Sequence, residues 1–154
     1  MKRLPEEVVN FFQNQSFVIV NTIDAKGYPH SSCKGIVKIS HNGKVFLLDL
    51  YRSETYKNLK NNPQVNITAV NEHKFHGFCL KGKAMRLAEE KFNTSLSRAW
   101  EERITTRITQ RLLKNVRGEA GIAHHPEALL PKPEYLIVMD VEEIIDLTPQ
   151  HLKK

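Results

Sequence analysis

Residues 45–70 read VFLLDLYRSETYKNLKNNPQVNITAV, and this stretch decides the fold. An apolar, β-rich run (45–50) passes directly into Arg52-Ser53-Glu54-Thr55, a polar group that suits the opening of a short helix. Asn62-Pro63 ends that helix, and a second β-branched run (65–70) follows. Strand, short helix and strand in this order leave unpaired backbone N–H groups and the positive end of the macrodipole at the helix start. Such a junction can hold a phosphate. Ser53 also fits the plainer role of N-cap, worth about 1 kcal/mol.

On the N-terminal side, residues 5–14 read as a helix. Pro5 suits its first turn, Glu6 and Glu7 suit its positive end, and Val8, Val9, Phe11 and Phe12 form an apolar face. Residues 17–23 are a strand by β-branched content. Asp24 to Gly27 form a turn, residues 29–39 a second strand, and Asn42-Gly43 a hairpin signal before residue 45. These three strands are expected to form an antiparallel meander. On the C-terminal side, residues 78–87 alternate, with Lys81 and Lys83 on one face and Gly82 and Ala84 on the other. Gly82 within a strand predicts a bend or a close backbone approach. Residues 88–116 carry a helical pattern, as one helix or two joined near Arg103 to Thr106, ended by Gly118. Phe92, Leu96, Ala99 and Trp100 share a face. Residues 120–133 read as a loop, and 135–141 as the last clear strand, extended by 142–147. Short hairpins and few helices predict a small antiparallel barrel with helices packed outside, mostly β (α+β).

The chain has 154 residues, the size of one domain, with no linker or repeat, and is read as a single domain over residues 1–154. Its formal net charge is +6, which suits an anionic ligand but chiefly reports solubility. Two cysteines, Cys33 and Cys79, make no disulfide framework and are expected to be buried, inert thiols. MKRLPEEVVNFF lacks a signal-peptide core and no later run suits a bilayer, so the expectation is a cytoplasmic protein with no membrane partner.

Three clusters invite functional readings. His73 and His76, and the pair His124-His125, lack the further ligands that a divalent metal site needs, so no metal is expected. Arg103, Arg107 and Arg111 recur at helical spacing with Lys114 and Arg117. Without interleaved aromatics the row reads as a solvated helix face rather than a nucleic-acid surface. No nucleophile–base arrangement is legible from residue order.

The ordered set FVIVNTIDAKGYPH, KVFLLDLYRSETYKNLKNNPQVNI and LKGKAMRL resembles the pyridoxamine 5′-phosphate oxidase-like, FMN-binding split-barrel superfamily. The D-x-x-G-x-P-H turn and the S-x-x-x-x-N-L-x-x-N-P-x-V block carry the resemblance, which covers residues 10 to 90 and the closing strand. It implies a six-stranded antiparallel split β-barrel with flanking helices. It also implies a homodimer with FMN in clefts at the subunit interface, acting on a small-molecule substrate. By the same resemblance Arg52, Ser53, Thr55 and Lys57 hold the phosphate. Ser32, Cys33 and Lys34 on one strand, and Leu48, Asp49 and Leu50 on the next, line the isoalloxazine ring. The reaction class implied is a flavin-dependent oxidoreductase. The alternative is a non-enzymatic flavin or haem carrier or sensor on the same barrel, and deazaflavin and haem are the alternative cofactors. Thr55 stands where many members carry Lys or Arg, so Arg52, Lys34 or Lys57 must supply the charge, and Glu54 must point to solvent. A Gln that contacts the ring in the true oxidases is replaced near Gly77. Their Trp- and Arg-bearing terminal segment is absent, since Trp100 is the only Trp and the chain ends DLTPQHLKK. Oxidation of pyridoxamine phosphate itself is therefore not expected.

Overall fold

The computed structural model describes residues 2–49, 52–116 and 135–153, with only the backbone described for 107, 108 and 110–116. The elements are α1 (Glu6–Gln13), β1 (Val18–Ile23), β2 (Pro29–Lys34), β3 (Ile36–Ile39), β4 (Lys44–Leu48), α2 (Glu54–Asn61), β5 (Gln64–Asn71), β6 (His76–Ala88), α3 (Thr94–Val116) and β7 (Tyr135–Asp146). Gly118, the loop expected over 120–133, His124 and His125 lie outside the described residues.

The seven strands form one antiparallel sheet in the order β2-β1-β5-β6-β7-β4-β3. Its two edge strands are consecutive in the chain, separated by Gly35 alone. A single residue can join opposite edges only if the sheet curls until they meet, which makes the architecture a split barrel. Two expectations change here. Residues 29–39 are two strands rather than one, so the sheet has seven strands and not six. The meander does not form either: β2 pairs with β1, whereas β3 pairs with β4 and β4 with β7. The break falls at Gly35, whose carbonyl accepts from Leu48 N–H at 2.8 Å as the chain changes partners.

Strand alternation sorts the side chains into two layers. Val18, Val20, Val45, Leu47, Val65, Ile67, Leu80, Ile137, Met139 and Val141 fill the inside of the barrel, and Val8, Val9 and Phe12 of α1 pack on them. Outside, α3 sets Leu96 and Trp100 against Val37, Leu48 and Leu136, with Phe92 and Ala99 at the margin. The shared face expected for Leu96, Ala99 and Trp100 is therefore the packing face, whereas Phe92 precedes the helix and packs beside it. This helix starts at Thr94 rather than at residue 88, because Asn93 Oδ1 accepts from Leu96 N–H at 2.8 Å and caps it. It runs through residues 103–106 without a break.

Gly82 meets its expectation. A Cβ there would sit 2.0 Å from the Asp140 carbonyl oxygen, and the β6–β7 register shifts between Lys81 and Gly82. Arg103 departs from the solvated row: its Nη2 donates to the Gln15 carbonyl at 2.7 Å and to that of Ser16 at 3.4 Å, and its Nη1 to that of Gln13. The side chain thereby ties α3 to the carbonyl-rich end of α1. The side chains of Arg107 and Arg111 lie outside the described residues.

Candidate functional site

Helix α2 covers the barrel beside β1, β2 and β6, and helical spacing decides which of its side chains turn inward. Thr55, Asn58 and Leu59 are buried. Thr55 Oγ1 lies 3.1 Å from Ser32 Oγ, and Asn58 Nδ2 donates to Thr22 Oγ1 at 3.0 Å. The opposite face carries Ser53, Glu54 and Lys57. Ser53 occupies the N-cap position, yet its side chain makes no capping hydrogen bond. Glu54 and Lys57 are exposed and pair at 2.6 Å, an interaction worth little in water.

Behind α2 lies a buried polar cluster. Lys34 ends β2, Asp49 follows β4 and Tyr135 opens β7; they are 7%, 4% and 5% exposed. Lys34 Nζ donates to Asp49 Oδ1 at 2.6 Å, and Tyr135 Oη donates to Asp49 Oδ2 at 2.5 Å. Both carboxylate oxygens are thus satisfied, which a buried charge pair requires. Burial, and next the bond to Asp49, push the Tyr135 hydroxyl far above the ordinary phenol value, so it is held as a donor.

The Tyr135 ring meets Tyr56 of α2 edge-on at 5.0 Å. Two guanidiniums lie by the Tyr56 ring, Arg86 at 4.1 Å and Arg52 at 5.6 Å from its centroid. The start of α2 therefore gathers Arg52, Arg86, the Ser53 hydroxyl and the first backbone N–H groups of the helix. These groups fit a phosphate: planar donors, a hydroxyl not spent on capping and a positive dipole end.

The residues expected at the cofactor are not brought together as one set. Arg52 and Ser53 stand exposed at the start of α2. Ser32, Lys34, Asp49 and Thr55 face inward, Ser32 paired with Thr55 and Lys34 with Asp49. Lys57 is held by Glu54, which points to solvent as the resemblance requires. Cys33 is exposed, which corrects the expectation of a buried thiol, because strand alternation turns it away from the face of Ser32 and Lys34; Cys79 is buried as expected. Leu48 is buried under α3, and Leu50 lies outside the described residues. Tyr56, Arg86 and Tyr135 were not singled out from sequence. Arg86 had a legible signal: it continues the inward alternation of Gly82 and Ala84, where a charge is out of pattern.

His76 packs against Phe11 at 5.2 Å and Phe78 at 4.7 Å. Among the described residues no three His, Cys, Asp or Glu side chains converge, and no helix is long and apolar enough to cross a membrane.

The outer face of the sheet carries an apolar row. Ile19 aligns with Thr68, Thr68 with Cys79 and Cys79 with Ile145. Beside it Val70 is 62% exposed and Leu147 42%, and Phe17 and Phe75 are exposed nearby in the chain. Val70, Phe75, Leu147 and Pro149 line a groove of about 380 Å³. The next row, Asn21, Asn66, Lys81 and Glu143, is polar.

A family model described as pyridoxamine 5′-phosphate oxidase matches residues 4–146. No curated protein matches the chain. Among solved structures, HupZ of Group A Streptococcus is 18% identical, with 94% of each chain covered and a TM-score of 0.66. HutZ from Vibrio cholerae, described as a heme storage protein, is 19% identical, with 93% of this chain and 94% of that one covered and a TM-score of 0.53. An F420 reductase is 13% identical, with 92% and 98% covered and a TM-score of 0.59. At these identities the structural likenesses show a common fold.

Proposed function

Because the chain belongs to the pyridoxamine 5′-phosphate oxidase family, we propose that it binds FMN and works as a flavin-dependent oxidoreductase on a small molecule. The observation that carries this reading is the basic, hydroxyl-bearing start of α2, set in a split barrel. A phosphate monoester near neutral pH carries close to two charges and three acceptor oxygens. Arg52 offers it a planar fork, Ser53 a hydroxyl, and α2 its unpaired N–H groups. Thr55, bound to Ser32, and Lys34, bound to Asp49, act instead by fixing the strand and helix that frame the site.

A bound flavin supplies the hydride or electron step, and the protein supplies position and electrostatics. Ser32, Cys33 and Lys34 of β2 are the residues that would line the ring by the family resemblance, and of these Cys33 is exposed. The exposed apolar side chains of the outer sheet face, Ile19, Val70 and Leu147, support a homodimer with the cofactor at the interface, since an exposed apolar patch of this kind marks an association surface. Trp100, the only tryptophan, is buried between α3 and the sheet and not placed to receive a substrate, in keeping with a reaction other than pyridoxamine phosphate oxidation.

The likeness to HutZ favours a second reading, a non-enzymatic haem or flavin binder on the same barrel. Titration of the purified protein with FMN and with haemin, followed by NADH or NADPH, separates the two. Saturable FMN binding and reduction by the nicotinamide support the enzyme. Haemin binding with a Soret shift and no flavin binding supports the alternative.

A further inference from the structure

We propose that Arg86 recognises the phosphate of the cofactor, supplying the positive charge that Thr55 does not; this rests on the FMN reading above. The alternation of β6 puts Arg86 on the face of Leu80, Gly82 and Ala84, which is the inside of the barrel. Its cross-strand neighbour is Ile137, which is fully buried. A guanidinium at an inward, half-buried position loses hydration, and among the described residues no carboxylate pairs with it. Its partner is the Tyr56 ring at 4.1 Å. Stacking fixes the plane of the group while leaving its N–H donors for another ligand.

Tyr56 lies in the first turn of α2, so Arg86 reaches the helix start from the sheet while Arg52 reaches it from the chain before the helix. Two guanidiniums drawn to one ring repel each other, and a dianion between them relieves that repulsion. Lys34 is spent in its buried pair with Asp49, and Lys57 lies on the exposed face of α2 beside Glu54. The ligand chemistry that matches two forks, a hydroxyl and a helix start is a phosphate monoester rather than a neutral ring.

The test titrates the full-length protein, as wild type, Arg86→Ala and Arg86→Lys, with FMN and with riboflavin, which lacks the phosphate. Arg86→Ala is expected to raise the FMN Kd roughly 10- to 100-fold, the loss of a charge-assisted contact, and to leave the riboflavin Kd unchanged. Arg86→Lys should fall between. Equal weakening toward both flavins would make Arg86 a support for Tyr56 and overturn the proposal, as would unchanged FMN affinity. Arg86→Gln, which keeps the stem over Tyr56, carries the same comparison if the Ala variant does not fold. A wild type that binds neither flavin overturns the FMN reading and this proposal together. A wild type that binds FMN but no better than riboflavin overturns this proposal and the phosphate site at α2, while flavin binding itself stands.

Discussion

Tyr135 donates to the same carboxylate, Asp49, that Lys34 neutralises, at 2.5 Å from the oxygen Lys34 does not use. Three strand ends are held by these two bonds: β2 through Lys34, β4 through Asp49 and β7 through Tyr135. Tyr135→Phe removes one donor and leaves Asp49 Oδ2 buried without a partner. The expected cost is about 1–3 kcal/mol, read as a lower urea midpoint at unchanged m. Asp49→Leu strands the Lys34 charge and should cost more, about 3–5 kcal/mol. A Phe variant as stable as wild type would show that water reaches Asp49.

The same bond sets an alkaline limit. Tyr135 holds its proton above the ordinary value of 10.0, first through burial and then through Asp49. In the unfolded chain that proton leaves near 10, so the stability it confers is complete below pH 10 and is lost as the pH rises beyond it. Absorbance titration of the four tyrosines should find one that stays protonated above pH 10 until the protein unfolds. In Tyr135→Phe the late, unfolding-linked step should disappear.

Gly82→Ala tests the barrel bend. The new methyl would meet the Asp140 carbonyl at 2.0 Å, a backbone atom that cannot turn aside. Destabilisation toward the top of the roughly 1–3 kcal/mol range for overpacking is expected in thermal melts. A neutral substitution would mean that the β6–β7 bulge relaxes freely.

The apolar row on the outer sheet face predicts the assembly. Ile19 and Val70 are exposed on adjacent, paired strands and touch none of the buried polar cluster. Wild type should sediment as a dimer, and Ile19→Lys with Val70→Lys should shift it to monomer while the circular dichroism stays native. A dimer that survives both lysines lies on another face, and a monomeric wild type removes the interface altogether.

Much of the barrel is legible in residue types. β-branched runs, the Asn42-Gly43 turn and the inward step at Gly82 mark strands by local chemistry alone. The partner change at Gly35 is not legible, because one glycine within an extended run looks the same whether the strand continues or crosses to the other edge of a sheet. The start of α3 was missed because Asn93 caps only once Leu96 turns over it. At the site, Arg52 and Ser53 are visible as a basic helix opening. Lys34 and Asp49 lie far before Tyr135 in the chain, and only barrel closure brings their ends together. Arg103 shows the opposite error: helical spacing put it on a solvated face, whereas the end of α1 lies beside it and takes its donors.

The central claim is that this barrel holds a phosphorylated flavin at the start of α2. The most direct measurement is the visible spectrum of the purified protein, as isolated and after addition of FMN and removal of the unbound excess. The protein is expected to be yellow with the two-band flavin spectrum, or colourless and to acquire that spectrum from FMN in stoichiometric amount. A protein that stays colourless after FMN, or that shows a Soret band in its place, contradicts the claim.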